Sequence, residues 1–233
     1  MADCAPVLTA LAARLLPYEK ADAARDAQIS AAVTQAEQGL REQSGPYARL
    51  NDAIERALPQ DGILVRDITV SGSVWGSRLF RATQPLHNIH SLAGAIGMGL
   101  SMAIGTAIAN PDKKIVGLVG DGGLMLGIGE LATMAQEKCD ITLLVMNDGG
   151  YGVMRGIQDK YFGGRQYYNQ LLTPDFTALA EEMGISSYRV SDAADFDGIM
   201  AEAIGHPGPV VVEVMMNAIG EIRFAGPPQK TLY

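Results

Sequence analysis

Cysteine is nearly absent from this 233-residue sequence: Cys4 and Cys139 are the only two. Two thiols exclude a disulfide scaffold and a four-thiolate zinc site, and they fit a reducing compartment such as the cytoplasm. Positive charge is also scarce, with 18 Lys and Arg against 26 Asp and Glu, a formal charge of −8 and a pI near 4.9. That balance argues against nucleic acid or an acidic membrane surface as a partner. It leaves room for an anionic cofactor, because a metal ion and helix N-termini supply positive potential locally. Long apolar runs are missing too. The most apolar stretch, residues 92–109, is broken by Gly94, Gly97, Gly99 and Gly105, so no membrane span is expected. The N-terminus has no basic segment followed by a long apolar core, and no signal peptide is expected.

What the sequence has is aliphatic and small residues. Hydrophobic residues make up 48% with only 6% aromatic, enough for a sizeable core in which helices lie close on a sheet. Apolar periodicity predicts helices over residues 6–16, 21–41 and 47–58, the second mostly exposed, with a Pro-Gln-Asp-Gly turn after the third. A strand is expected at 63–67 and a glycine-rich helix at 92–109. Strands at 115–119, 141–146, 187–190 and 209–215 then alternate with helices at 124–137, 174–183 and 193–204. In the 124–137 helix Leu124, Ile128, Leu131, Ala132 and Ala135 fall on one face. Such alternation predicts an α/β fold: an open parallel sheet with helices on both faces. Residues 1–45 read as linker helices, 46–216 as the α/β domain and 217–233 as an irregular tail.

Two acidic, glycine-flanked turns stand out. Gly120-Asp121-Gly122-Gly123 follows one apolar strand, and Asn147-Asp148-Gly149-Gly150-Tyr151-Gly152 follows the next. Asp121 and Asp148 lie 27 positions apart, room for a helix and a second strand. Both turns then reach the carboxyl edge of one parallel sheet. Magnesium takes six hard oxygen ligands and usually shares several with a phosphate, so two carboxylates and the Gly150 carbonyl suit it. Gly122 and Gly123 let main-chain N–H groups approach phosphate oxygens at a helix N-terminus. Either tetrad alone reads best as an ordinary tight turn; the pair, each after a strand, favours a metal–phosphate site. A dinucleotide fingerprint fails, since Met125 stands where its third glycine belongs, and no P-loop Gly-Lys-Ser/Thr occurs.

These residues carry a resemblance. Gly120-Asp121-Gly122 with Asn147-Asp148-Gly149-Gly150 resembles the thiamine diphosphate signature. Glu130-Leu131-Ala132-Thr133, Tyr151-Gly152 and Pro174-Asp175-Phe176 extend the similarity to the acetolactate synthase and benzoylformate decarboxylase group. It runs from about Tyr47 to Met215 and matches the C-terminal, diphosphate-binding domain of those enzymes. The resemblance implies thiamine diphosphate and Mg2+ as cofactors. Asp121 and Asp148 would be side-chain metal ligands and Gly150 a carbonyl ligand; the family usually has Asn at the Asp148 position, so this site would carry one extra negative charge. Ile96 would wedge under the cofactor and bend it, and Gly94 would accept from its amino group. Without the resemblance Ile96 reads as a core helix residue. Ser71 and Ser73 fall where the family contacts the diphosphate, on a loop, and Gly122, Gly123, Tyr151, Gly152 and Val153 would border the cofactor.

Val153, Met154 and Ile157 would begin the helix lining the substrate pocket. Met154 stands where pyruvate decarboxylases carry a catalytic glutamate and Ile157 where acetolactate synthases carry a tryptophan, so neither specificity is expected in strict form. Arg155 and Arg165 read as solvated helix-end residues, with meeting a substrate carboxylate or offsetting Asp148 as the alternatives. His87, His90, Glu130 and Tyr47 are given structural readings. The family's chemistry also needs a glutamate from a pyrimidine-binding domain, usually on another subunit, and no second α/β domain is recognisable in the sequence. The resemblance therefore implies part of a 2-oxo acid decarboxylase or carboligase in a homo- or hetero-oligomer, acting on a small 2-oxo acid. The alternative is a non-catalytic cofactor-binding or regulatory subunit of the same fold.

Overall fold

The computed structural model describes residues 3–15, 23–92, 94–220 and 222. The chain divides into two units, residues 1–39 and 40–233. The first contains α1 (Cys4–Leu15), which buries no residue, and most of α2 (Ala23–Ser44). The expected helix residues Leu16, Ala21 and Asp22 lie outside the described residues.

The second unit is built on a six-stranded sheet among the described residues: β1 (Ile63–Arg66), β2 (Asn88–His90), β3 (Ile115–Gly120), β4 (Ile141–Asn147), β5 (Ser186–Val190) and β6 (Val210–Met215). Their spatial order is β2-β1-β3-β4-β6-β5 and every pairing is parallel. Parallel strands covered on both faces must be apolar on both, and β4 shows it with all seven residues buried. Its Ile141, Leu143 and Val145 enter one core, whereas Leu144 and Met146 enter the other.

The first core brings α3 (Tyr47–Ala57), α4 (Val70–Val74) and α10 (Phe196–Gly205) onto one face of the sheet, with Leu50, Ile54, Trp75, Phe196 and Met200 fully buried. The second packs α5 (Gly99–Ala109), α6 (Asp121–Leu126), α7 (Glu130–Gln136) and α9 (Phe176–Glu182) on the other face through Leu100, Ile104, Leu124, Leu131, Met134 and Phe176. The remaining helices, α8 (Gly152–Tyr161) and α11 (Met216–Ile219), follow the carboxyl ends of β4 and β6.

Several sequence expectations need correction. The 92–109 helix begins only at Gly99, because Gly94 and Gly97 adopt φ of +71° and +86°, outside the helical region. The 124–137 helix is two helices, α6 and α7, separated by residues 127–129, where two glycines disfavour helix. Its expected face is only partly buried: Leu124 and Leu131 are interior but Ala132 is exposed. Residues 193–195 form a separate 3-10 turn before α10. Periodicity missed β2, three residues long, and α4, one turn held by the Thr69 side chain accepting from Gly72 N–H at 2.7 Å. Most of the expected irregular tail lies outside the described residues; its start forms α11.

Tyr47 is a structural residue. It is fully buried, its ring lies 6.2 Å from that of Phe196, and its hydroxyl donates to Gly220 O at 2.7 Å. Tyr47→Phe should cost about 1 kcal/mol and lower Tm by roughly 2–4 °C for a chain of this size. Thermal melts check the loss, and cofactor titration should show no change.

Candidate functional site

β1 sends its chain to α4 on one face, and its neighbour β3 sends its chain to α6 on the other. Neighbouring parallel strands whose connections leave to opposite faces open a crevice at their carboxyl ends, where open α/β sheets bind ligands. A cavity of about 210 Å³ lies there, lined by residues 68–71, 120–123 and 150–154 with Gly94, Ile96, Met146, Asp148 and Met216. It brings together Asp121, Asp148, Gly150, Ser71, Gly94, Ile96, Gly122, Gly123, Tyr151, Gly152 and Val153. Ser73 does not line it. Ser71 and Ser73 are on α4, not on a loop, and only Ser71 faces the cavity. Its Oγ is buried without a hydrogen-bond partner.

Asp121 opens α6 at the end of β3 and is 1% exposed. Its carboxyl is pushed up to about 6, first by burial and then by the charge of Asp148, while the N–H groups of Gly122, Gly150 and Asp148 pull the other way. Oδ2 of Asp121 is buried with no hydrogen-bond partner. A buried carboxylate oxygen in this state is costly unless something positive meets it.

Asp148 is half-buried and meets a cation of the protein. Arg155 Nη2 lies 2.9 Å from Asp148 Oδ1 and donates to Asp148 O at 2.9 Å. Arg155 thus offsets the extra charge of Asp148 and is not the solvated residue expected; Arg165, exposed, donates to Phe162 O. Gly149 and Gly150 have φ of +79° and +153°, backbone that side chains rarely adopt. The 169–171 segment clamps this turn, with Tyr151 N–H donating to Asn169 O at 2.8 Å and Leu171 N–H to Gly149 O at 3.1 Å.

Two close approaches shape the opposite wall. A Cβ on Gly122 would lie 2.7 Å from the Tyr151 ring, and one on Gly123 would lie 2.9 Å from Asp67 Oδ2. Asp67, the last residue of the expected 63–67 strand, is buried and accepts from Gly97 N–H and Ile68 N–H, both at 2.8 Å. It ties the 94–97 segment to β1. Ile96, on that segment, is 38% exposed and in no helix, so a core helix role is excluded. Thr69 and Met216 also line the cavity, and nothing in their sequence neighbourhood marked them. Met154 lines it as well and also borders a second apolar groove, which it shares with Ile157, Phe162, Arg165 and Tyr167; of the two, Ile157 borders only that groove. Neither His87 nor His90 lines the cavity.

Two buried oxygens without partners, Asp121 Oδ2 and Ser71 Oγ, fit a cation and an anionic group respectively. Among the described residues no group of three or more His, Cys, Asp or Glu could hold a metal, so a cation here would need backbone and ligand oxygens to complete its shell.

The model of the family described as "Thiamine pyrophosphate enzyme, C-terminal TPP binding domain" matches residues 69–214, well over half of the chain. The chain belongs to this family. Thiamine pyrophosphate, another name for thiamine diphosphate, is the cofactor that the family's domain binds. The match begins at the cap of α4 and ends in β6, so it covers nearly all of the cavity lining. The acetolactate synthase large subunit of Porphyra purpurea is 29% identical over 163 residues, 69% of this chain and 27% of that protein. Benzoylformate decarboxylase of Pseudomonas aeruginosa is 27% identical over 187 residues, 77% of this chain and 34% of that protein. Among solved structures, the thiamine diphosphate-dependent 4-hydroxybenzoylformate decarboxylase of Rhodococcus jostii RHA1 is similar, with a TM-score of 0.66 and 29% identity over 72% of this chain and 32% of that one. The chain spans about a third or less of the length of these relatives.

Proposed function

We propose that this chain is the thiamine diphosphate- and Mg2+-binding part of a 2-oxo acid decarboxylase or carboligase. The observation that carries the reading is the buried, partnerless Asp121 Oδ2 beside Asp148, at a crevice that also gathers Ser71, Gly94 and Ile96. Asp121, Asp148 and the Gly150 carbonyl would hold the cation. Gly122, Gly123 and Ser71 would meet the diphosphate, the glycines by admitting it close to main-chain N–H groups. Gly94 would accept a hydrogen bond from the cofactor, and Ile96 would support its bend; Tyr151, Gly152 and Val153 would close its border. When bound, thiamine diphosphate supplies the electron sink for cleaving or forming the bond next to a keto carbon. Apolar Met154, Met146 and Met216 would keep water from that region of the cavity.

In this reading residues 1–45 are linker helices, 46–216 the cofactor domain and 217–233 its tail. The activating glutamate comes from a pyrimidine-binding domain carried by another chain or domain, within a homo- or hetero-oligomer in the cytoplasm. Two cysteines, Cys4 exposed and Cys139 buried, and the absence among the described residues of any helix long and apolar enough to cross a membrane support that setting. The test is co-expression with a chain carrying the pyrimidine-binding domain. Cofactor-dependent carbon dioxide release from pyruvate or benzoylformate is the expected result, and inactivity with every such partner would count against it.

Asp148→Asn should keep thiamine diphosphate binding within about tenfold of the parent chain, roughly 1.4 kcal/mol, and lessen its dependence on Mg2+. The variant retains an oxygen ligand and removes a charge that repels the diphosphate. Calorimetric titration with and without Mg2+ measures both effects; complete loss of binding would contradict this role for Asp148.

A further inference from the structure

Glu213 is a buried carboxylate, 2% exposed, on β6, which lies between β4 and the edge strand β5. It lies in register with Val145 on β4 and Arg189 on β5. Its Oε1 accepts from Asn147 Nδ2 at 2.8 Å, and its Oε2 accepts from Arg189 Nε and Nη2 at 3.1 and 3.0 Å. Arg189 also donates to Thr177 Oγ1 at 2.7 Å and to Asp175, the N-cap of α9. On the other side Asn147, the last residue of β4 and itself buried, accepts from Gly149 N–H through Oδ1 at 3.1 Å. A continuous line of hydrogen bonds therefore runs from the start of α9, through the sheet, to the turn that carries Asp148 and Gly150.

Stability alone does not account for this line. A buried ion pair is often no better than well-packed apolar side chains of similar size, since desolvation offsets its attraction. An apolar residue cannot, however, hold the Asn147 amide. With Nδ2 committed to Glu213, Oδ1 must face the following backbone, where it takes Gly149 N–H and fixes the turn at its left-handed glycines. Partners one step behind metal ligands commonly set ligand orientation in this way.

We propose that Glu213 is a positioning residue for the 147–150 turn: it orients Asn147, and through Asn147 it aims the Asp148 carboxylate and the Gly150 carbonyl at one cation. The aiming rests on the reading of those two residues as cation ligands; the shaping of the turn does not.

Two double variants of the full chain separate the hydrogen-bond acceptor from its charge. Glu213→Met with Arg189→Met removes both charges and the acceptor. Glu213→Gln with Arg189→Met removes the same charges but leaves an amide oxygen for Asn147 Nδ2. Neither strands a charge in the core, so both should fold. Amide hydrogen exchange at Gly149 is read in the metal-free chains, and binding of Mn2+ alone is read by electron paramagnetic resonance. In the Met/Met chain Gly149 should exchange faster and Mn2+ affinity should fall by about 10-fold or more; in the Gln/Met chain both should stay near the parent values. Equal Gly149 exchange in the two double variants, fast or slow, overturns the proposal. If the parent chain itself binds no Mn2+, the cation reading fails, and the Gly149 exchange still decides whether Glu213 shapes the turn.

Discussion

Asp121→Asn should lower Mg2+-supported thiamine diphosphate binding by at least about 100-fold, roughly 2.7 kcal/mol, while making the metal-free protein more stable at pH 7. The two effects have opposite signs because one buried carboxylate causes both. In the metal-free chain its carboxyl is pushed up to about 6 by burial and by Asp148, whereas an unfolded aspartate titrates near about 3.9. Between roughly pH 4 and 6 the folded chain therefore keeps a proton that the unfolded chain has lost. Stability falls as pH rises through that window, and the loss is complete above it. Asparagine has no such titration. The variant and the parent should melt alike near pH 4 and diverge by pH 7, with the variant higher. Saturating Mg2+ should then raise the Tm of the parent and leave the variant unmoved. An equal Mg2+ shift in both chains would remove Asp121 from the cation site.

Asp67→Ala is expected to cost about 3 kcal/mol or more, because a charged acceptor is withdrawn from two N–H groups, those of Gly97 and Ile68. For a chain of this size that is a fall in Tm of roughly 6–12 °C. The consequence for the site is distinct from the loss of stability. The 94–97 segment is held to β1 through Asp67, and it carries Gly94 and Ile96 to the cavity. Below its melting temperature the variant should still bind Mn2+ at the Asp121–Asp148 turns yet bind thiamine diphosphate weakly, since the support under the cofactor is loosened. Asp67→Asn should recover at most half of the lost stability, because its amide oxygen replaces one acceptor and its NH2 opposes the other N–H. Urea unfolding with parallel calorimetric titration distinguishes these outcomes, and a parent-like melt for Asp67→Ala would refute the tether.

How much of this was legible in the sequence differs by element. The two acidic turns were, because each follows an apolar run that reads as a strand and each places its aspartate at the strand's end. Their convergence follows from parallel pairing of β3 with β4. Asp67 was not legible: a lone aspartate closing a strand gives no sign that its partner, Gly97, lies 30 positions on. Glu213 was hidden for the same reason, since a polar residue inside an apolar strand announces burial of charge only when its partner is known; Asn147 was legible as the start of the acidic turn but not as the partner of Glu213. Ser71 and Ser73 looked equivalent by spacing. The single turn of α4 separates them, turning Ser71 inward while Ser73 stays outside the cavity lining. The helix errors have a shared origin as well. Apolar periodicity carries across glycines that the backbone uses to break the helix, and φ at Gly94 and Gly97 is a property of the folded loop.

By itself the sequence determined the α/β class, the parallel sheet covered on both faces, and the acidic glycine turns at the strand ends. These rest on local periods and local turn chemistry, which short stretches of chain fully express. Tertiary structure alone decided where those turns meet, at the switch between β1 and β3. It also decided that Arg155 sits on Asp148, that Asp67 and Glu213 brace the two walls, and that Asp121 keeps a buried oxygen without a partner. The Asp67 and Glu213 contacts join residues 30 and 66 positions apart in the chain, and their strength comes from burial, which exists only once the sheet has closed over them.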